Sequence, residues 1–128
     1  MSSNTQLETT KARSEFRKRI YFFTLKLIEF IDSLPKDNVT QRISDELFGS
    51  GTSVISNYIE ATAASTKKDL ANHTISSLKF ANESKLWLAL LRDSKRARAE
   101  KVKWFLDELD DISTSLANSI NQPKRTNL

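Results

Sequence analysis

The spacing of apolar residues along the chain is typical of helices. Between residues 12 and 34 the apolar positions recur alternately three and four residues apart, which places them in one stripe of a helix, and Pro35 ends the pattern. Three later segments repeat this spacing. The pattern of the second helix begins at Val39 and that of the third helix at Leu70. The pattern predicts four helices, at about residues 12–34, 39–64, 67–92 and 95–120.

The first predicted helix is apolar around most of its circumference. Besides its main stripe it carries further large apolar residues, which one bundle core cannot cover. Exposed apolar area of this extent is a liability on a monomer, so we expect a homo-oligomer. The predicted interface combines these residues with two aromatic residues on a flanking face of the third helix: Tyr21, Phe22, Leu25, Ile28, Phe80 and Trp87.

Capping residues and short connections predict how the helices are joined. Asp37 or Asn38 can cap the second helix, Thr66 the third, and Asp93 or Ser94 the fourth. Four helices of similar length joined by short connections favour an antiparallel up-down-up-down bundle. The fold class predicted is therefore all-α, with residues 1–128 forming a single four-helix bundle domain.

A run of small and polar residues interrupts the second helix. Gly49 and Gly51 each cost roughly 1 kcal/mol relative to alanine inside a helix, so they indicate a kink or a close approach of another backbone. Buried hydroxyl and amide groups need hydrogen-bond partners. We interpret the run as a helix-contact motif, with a binding or assembly role as the alternative: Ser50, Gly51, Thr52, Ser53 and Asn57.

Composition argues against an enzyme. The chain has no cysteine, so neither a disulfide framework nor a thiolate site is available, which fits a cytoplasmic protein. His73 is the only histidine, and the Glu-x-x-His pairs of di-metal bundles are missing. No apolar run reaches the roughly 20 residues of a membrane helix, and the polar start does not resemble a signal peptide. We expect no catalytic residues, metal, cofactor or membrane partner.

Charge is distributed unevenly near the predicted fourth helix. Positions 92–103 contain six basic residues and only two acidic ones, and the charged residues of positions 104–120 are all acidic. Cations at a helix N-terminus oppose the macrodipole, which invites a functional explanation. We call this set the basic rim and predict that it binds nucleic-acid phosphates, the alternative being a solvated face or a surface used in assembly. Its members are Arg92, Lys95, Arg96, Arg98, Lys101 and Lys103.

The segment from Glu46 to Asp93 resembles a family of small helical proteins encoded by reading frames within intervening sequences of bacterial 23S ribosomal RNA genes. The likeness rests on Ser50–Ser53, on Asn57 with Ile59–Ala61, on Lys68 and Asp69, on Asn82–Ser84 and on Trp87–Leu91. Gly49 departs from the family, in which arginine is common at this place.

The resemblance implies a left-handed bundle that assembles into a five-membered ring with a possible link to nucleic acid. A similar architecture occurs in accessory proteins of diversity-generating retroelements, which work with a reverse transcriptase and RNA. Together with this resemblance, the sequence predicts a non-enzymatic homo-oligomeric bundle, pentameric as the resemblance implies, that binds RNA or DNA weakly and without sequence preference through the basic rim. The alternative is a structural or protein-interaction scaffold, such as an accessory subunit of a reverse transcriptase complex, that does not itself bind nucleic acid.

Overall fold

Four helices account for most of the chain. The computed structural model describes the backbone of residues 3–126 and the side chains of residues 10–120. Within that part of the chain the elements are α1 (Ser3–Asp32), α2 (Asn38–Thr62), α3 (Lys67–Asp93) and α4 (Ala99–Thr126), and no strand occurs. The prediction of an all-α protein with four helices is confirmed. The main differences are that α1 begins nine residues earlier than the predicted position 12, and that α4 runs from residue 99 to 126 instead of from 95 to 120.

Side-chain caps fix two of the helix starts. Asp37 accepts a hydrogen bond from the backbone N–H of Thr40 at 3.0 Å and begins α2. Thr66 accepts one from the backbone N–H of Asp69 at 3.1 Å and begins α3. Each bond satisfies an amide that has no partner within its own helix. The predicted caps of α2 and α3 are therefore present.

The core is built from the apolar stripes of all four helices. Phe23, Leu27, Leu47, Leu88 and Leu109 are fully buried, together with most of the other stripe residues. Two stripe positions that the pattern placed in the core are exposed, because Val39 and Leu70 lie in the first turns of α2 and α3, at the edge of the bundle.

Small residues bring α2 and α3 together, and these two helices make the most extensive contact in the bundle. The hydroxyl oxygens of Ser50 and Ser84 are 2.9 Å apart, and the Ser77 hydroxyl donates to the carbonyl of Val54 at 2.7 Å. Both contacts are buried, so the polar groups are satisfied across the helix interface.

The predicted helix-contact motif divides into two groups. Ser50 and Gly51 are buried, and a Cβ added at Gly51 would overlap the side chain of Leu27 in α1. Thr52, Ser53 and Asn57 instead donate hydrogen bonds to carbonyls of their own helix, at 2.7, 2.7 and 2.9 Å. A Cβ at Gly49 would meet nothing within 4 Å. Within this run, Ser50 and Gly51 form the close contacts.

Bulky residues hold α1 against α4, the least extensive of the neighbouring pairs. Phe105 packs against Phe23 and Phe30 with ring centroids 5.7 and 4.9 Å apart. Near the other end of the pair, the Arg19 guanidinium donates to Glu108 at 3.1 Å and to Asp111 at 2.9 Å. The hydrogen bond that Arg19 donates to Glu108 is the main reason that the pKa of Arg19 lies above its ordinary value.

Candidate nucleic-acid interface

The connection between α3 and α4 carries the centre of the basic rim. The N–H of Arg96 donates to the carbonyl of Leu91 at 2.8 Å, and the N–H of Lys95 donates to the carbonyl of Arg92 at 3.0 Å. This pair of bonds is the Schellman motif, which ends a helix with one residue in the left-handed conformation. Lys95 occupies that position with φ 63°, although glycine is the usual residue there.

This helix ending corrects the prediction for the start of α4. Ser94 is the C-cap of α3, so neither Asp93 nor Ser94 caps α4. Because α4 begins at Ala99, only Lys101 and Lys103 of the basic rim lie in its first turns. Arg92 lies in the last turn of α3, where the macrodipole favours a cation. The conflict with the macrodipole that the sequence indicated is therefore mostly absent.

An open, shallow cavity of about 440 Å³ lies at this connection. Four of its six lining residues are basic, and the other two are alanines. Its lining consists of Arg92, Lys95, Arg96, Ala97, Arg98 and Ala99. The fold thus brings four of the six predicted binding residues to one concave surface.

Several basic-rim side chains already have acidic neighbours. Arg92 pairs with Asp93 at 2.8 Å, Lys103 with Asp107 at 2.7 Å, and Arg98 lies 4.0 Å from Glu100. The hydrogen bonds in the first two pairs raise the pKa of Arg92 and of Lys103. Exposed pairs of this kind contribute little to stability and are screened by salt. Among the described residues, Lys95 and Lys101 have no ion pair.

Arg96 is the most enclosed member of the basic rim. Its Nε is buried, makes no hydrogen bond within the described part of the chain, and lies 3.8 Å from the Asp37 carboxylate. Asp37 is engaged mainly by the backbone N–H of Thr40, which lowers the pKa of this carboxyl, with Arg96 adding a smaller effect. Arg96 therefore has hydrogen-bonding capacity that the bundle does not use.

The residues predicted for the oligomer interface separate into an exposed and a half-buried group. Tyr21, Phe22, Leu25 and Ile28 are exposed by 58%, 51%, 44% and 38%. We call these four the apolar face of α1. Phe80 and Trp87 are half-buried against their own core, which leaves less of their surface for a neighbouring copy.

The sequence did not indicate several other apolar side chains that are exposed in the structure. Trp104 is 39% exposed and its ring centroid lies 6.4 Å from that of Phe22, which extends the apolar face of α1 onto α4. Ile75, Leu86 and Leu90 are exposed on α3. The three/four spacing assigns a residue to a stripe, but spacing alone does not say which flanking positions a neighbouring helix covers.

Side chains that bind metal ions do not cluster in the described residues. No cluster of three or more histidine, aspartate or glutamate side chains lies within reach of one metal ion there. His73 is half-buried on α3. In the same part of the chain, no helix has both the length and the apolar character that crossing a bilayer requires.

The architecture defines a small all-α protein whose four helices enclose one apolar core and leave a basic cavity at one helix connection. The family profile described as "23S rRNA-intervening sequence protein" matches residues 12–118. The chain therefore belongs to the 23S rRNA-intervening sequence protein family.

A solved structure has a similar fold. The crystal structure of a protein with unknown function from the S23 ribosomal protein family, from Bacteroides thetaiotaomicron VPI-5482, superposes with a TM-score of 0.77. The two chains are 24% identical, and the match covers 85% of this chain and 97% of the other. No curated protein matches this chain.

Proposed function

We propose that this protein is a non-enzymatic, cytoplasmic, homo-oligomeric bundle that binds RNA or DNA weakly and without sequence preference through the basic rim. The proposal includes an antiparallel, left-handed bundle and assembly into a five-membered ring. The contacts between α1 and α2 support the antiparallel arrangement, because later residues of α1 contact earlier residues of α2. Phe16 packs on Tyr58, whereas Leu27, further along α1, lies against Gly51, earlier in α2.

The observation that carries the proposal is the basic cavity at the α3–α4 connection. Four cationic side chains line it, among them Arg96, whose buried Nε makes no hydrogen bond within the described residues. Lys95 remains in a left-handed conformation that costs a non-glycine residue roughly 1–2 kcal/mol. Backbone strain of this kind concentrates at functional sites. A phosphate group supplies the oxygen acceptors and the negative charge that these side chains require.

Ring assembly is supported by the apolar face of α1. Four large apolar side chains and the adjacent Trp104 lie exposed together on the isolated bundle. Contiguous apolar surface of this kind marks an interaction site. Copies arranged in a ring would repeat the basic cavity around the assembly, and the summed field of several cavities attracts a polyanion more strongly than one.

The experiment that tests the proposal removes positive charge from the basic rim. In the variant, Lys95, Arg98 and Lys101 are each replaced by glutamine, which leaves Arg96 beside Asp37. The control variant combines Asn72→Glu, Lys79→Gln and Asn82→Glu, all exposed on α3, so its net charge falls by the same three units at another surface.

Binding is measured by anisotropy with a fluorescent DNA duplex and with a single-stranded RNA. We expect the basic-rim variant to lose most of its affinity for both and the control to keep most of it. Equal affinity of the two variants would refute binding through the basic rim.

A second candidate function is a structural or protein-interaction scaffold, for example an accessory subunit of a reverse transcriptase complex. The observation that favours it is the ion pairing within the basic rim, because Arg92 and Lys103 are already engaged at 2.8 and 2.7 Å. If the protein is a scaffold of this kind, it should not bind DNA or RNA even at low salt. A purified reverse transcriptase from the same genome should instead bind the wild-type bundle, and should not bind a variant in which charged residues replace the apolar face of α1.

A further inference from the structure

A second concentration of positive charge lies on the first half of α1. Lys11, Arg13, Arg17 and Lys18 are all exposed, and Glu15 is the only acidic residue among positions 10–19. We call these four the α1 basic surface. The neighbouring Arg19 differs from them, because Glu108 and Asp111 occupy its guanidinium group.

The α1 basic surface differs from the basic rim in its ion pairing. In the described part of the chain, none of its four cations lies within 4.0 Å of a carboxylate, whereas four of the six basic-rim cations do. A phosphate that contacts Arg92 or Lys103 must compete with Asp93 or Asp107. A phosphate that contacts Arg13 or Arg17 displaces only counterions, and that release is the main source of affinity for nucleic acids.

Packing fixes where these cations lie. Phe16 contacts Tyr58 edge to face with ring centroids 5.1 Å apart, which places this part of α1 beside the last turns of α2. Arg13 and Arg17 are both close enough to the Tyr58 phenol to counter the rise that burial causes in its pKa. Arg13 and Arg17 lie one helical turn apart on α1, with Phe16, which packs on the buried Tyr58 ring, between them in the sequence.

More positive charge lies at the same end of the bundle. Only four residues separate the end of α2 at Thr62 from the start of α3 at Lys67, so Lys67 and Lys68 lie at the end of the bundle that contains the α1 basic surface. Both are exposed and neither has an ion pair among the described residues. The described acidic side chains near this end include Glu15, Glu60 and Asp69, and Glu108 and Asp111 lie beside Arg19.

The spacing of the α1 basic surface fits a phosphate backbone. From Lys11 to Lys18 the helix rises roughly 10 Å, at 1.5 Å per residue. A DNA duplex carries about one negative charge per 1.7 Å of its axis when both strands are counted, so a stretch of this length holds roughly six phosphates on the two strands together. Because a helix turns by roughly 100° per residue, Arg13 and Arg17 lie on one side of α1, and Lys11 and Lys18 lie on another. Arg13 and Arg17, one turn apart, can contact neighbouring phosphates together.

We infer that the α1 basic surface is a second phosphate-binding surface, at the opposite end of the bundle from the basic rim. This inference rests on the proposed function, because both surfaces engage the same nucleic acid. Each unpaired cation of the α1 basic surface contributes more to the salt dependence of binding than an ion-paired cation of the basic rim.

Two matched double variants test this inference. Arg13→Gln with Arg17→Gln removes two unpaired cations, and Arg92→Gln with Lys103→Gln removes two paired ones, so each variant loses two positive charges. Glutamine keeps a high helix propensity at each position, and circular dichroism checks that helical content is retained. Affinity for a 20-base-pair DNA duplex is measured over a range of salt concentrations for both variants and the wild type.

We expect the Arg13/Arg17 variant to reduce the slope of log affinity against log salt by nearly 2, since each phosphate contact contributes roughly 0.9. The Arg92/Lys103 variant should reduce the same slope by less than half of the reduction seen with the Arg13/Arg17 variant. If the wild type binds and the Arg13/Arg17 variant keeps the wild-type slope, the second surface is refuted and the proposed function stands. If the wild type does not bind the duplex even at low salt, the proposed function fails and this inference fails with it.

Discussion

At the residue scale, two glycines two positions apart in α2 have different roles. The backbone at Gly51 approaches the fully buried Leu27 so closely that even a methyl group would overlap it, whereas Gly49 faces open space. The sequence marked both positions as unfavourable for a helix without separating them. The partner of Gly51 lies 24 positions away along the chain, and spacing within α2 contains no information about it.

Substitution of the two glycines by leucine should therefore have different consequences. Gly51→Leu should lower the free energy of unfolding by about 1–3 kcal/mol, the usual cost of overpacking a core. Gly49→Leu should leave it unchanged or raise it by up to about 1 kcal/mol, because leucine is the better helix former. Urea denaturation followed by circular dichroism measures both, and an unchanged midpoint for Gly51→Leu would contradict the close contact.

Hydrogen bonds between distant residues also lay beyond the sequence pattern. The sequence indicated that the hydroxyls around Ser50 need partners, but not that Ser84, 34 positions later, supplies one at 2.9 Å. The acidic partners of Arg92 and Lys103 are local by contrast, one and four residues away; the sequence spacing allowed these ion pairs but did not show that they form.

At the scale of elements, the sequence predicted the existence and type of the helices better than their ends. The apolar stripes locate all four helices because burial on one face imposes the periodicity. The beginning of α4 was misplaced because Lys95, a residue that rarely adopts positive φ, ends α3 in the conformation that glycine normally provides. Without a glycine there, nothing in the sequence indicated that residues 94–98 form a connection and not the first turn of α4.

Replacement of Lys95 by glycine should change the stability of the bundle and its nucleic-acid binding in opposite directions. Lys95→Gly relieves the left-handed strain, so the free energy of unfolding should rise by roughly 0.5–1 kcal/mol after allowance for the greater entropy of glycine in the unfolded chain. The same change removes a cation without an ion pair from the basic cavity. We expect a higher denaturation midpoint together with weaker nucleic-acid binding.

An isosteric control distinguishes the two effects. Lys95→Met keeps the strained backbone and loses the charge, so it should weaken binding without raising the midpoint. A fall in the midpoint of Lys95→Gly would show that Lys95 does not strain the native state.

At the scale of the whole molecule, the exposed apolar side chains on α1 bear on assembly. The sequence predicted that one bundle could not cover the whole of this helix, and four of its large apolar residues are indeed exposed by 38–58%. The choice of Phe80 and Trp87 as the opposing surface stays a prediction. Both residues are half-buried, whereas Leu86 and Leu90 on the same helix are more exposed.

Charges placed on the apolar face of α1 should abolish assembly without unfolding the bundle. Tyr21→Glu combined with Leu25→Glu alters two exposed positions, so helical content should be retained while the particle mass falls to that of one chain. Thr114→Glu with Ser115→Glu, on exposed positions of α4, is the control and should keep the wild-type mass. Light scattering coupled to gel filtration measures both, and a wild type that is monomeric at micromolar concentration would contradict the oligomer.

The central claim for the whole molecule is that its cationic surfaces bind nucleic-acid phosphates without reading sequence. The most direct measurement is the affinity of the wild-type protein for two DNA duplexes of equal length and unrelated sequence, titrated at several salt concentrations. Binding to phosphates alone predicts the same affinity for both duplexes and a linear fall of log affinity with log salt, with a slope of about 0.9 for each phosphate contacted. Absence of binding at low salt, or affinity that does not change with salt, would contradict it.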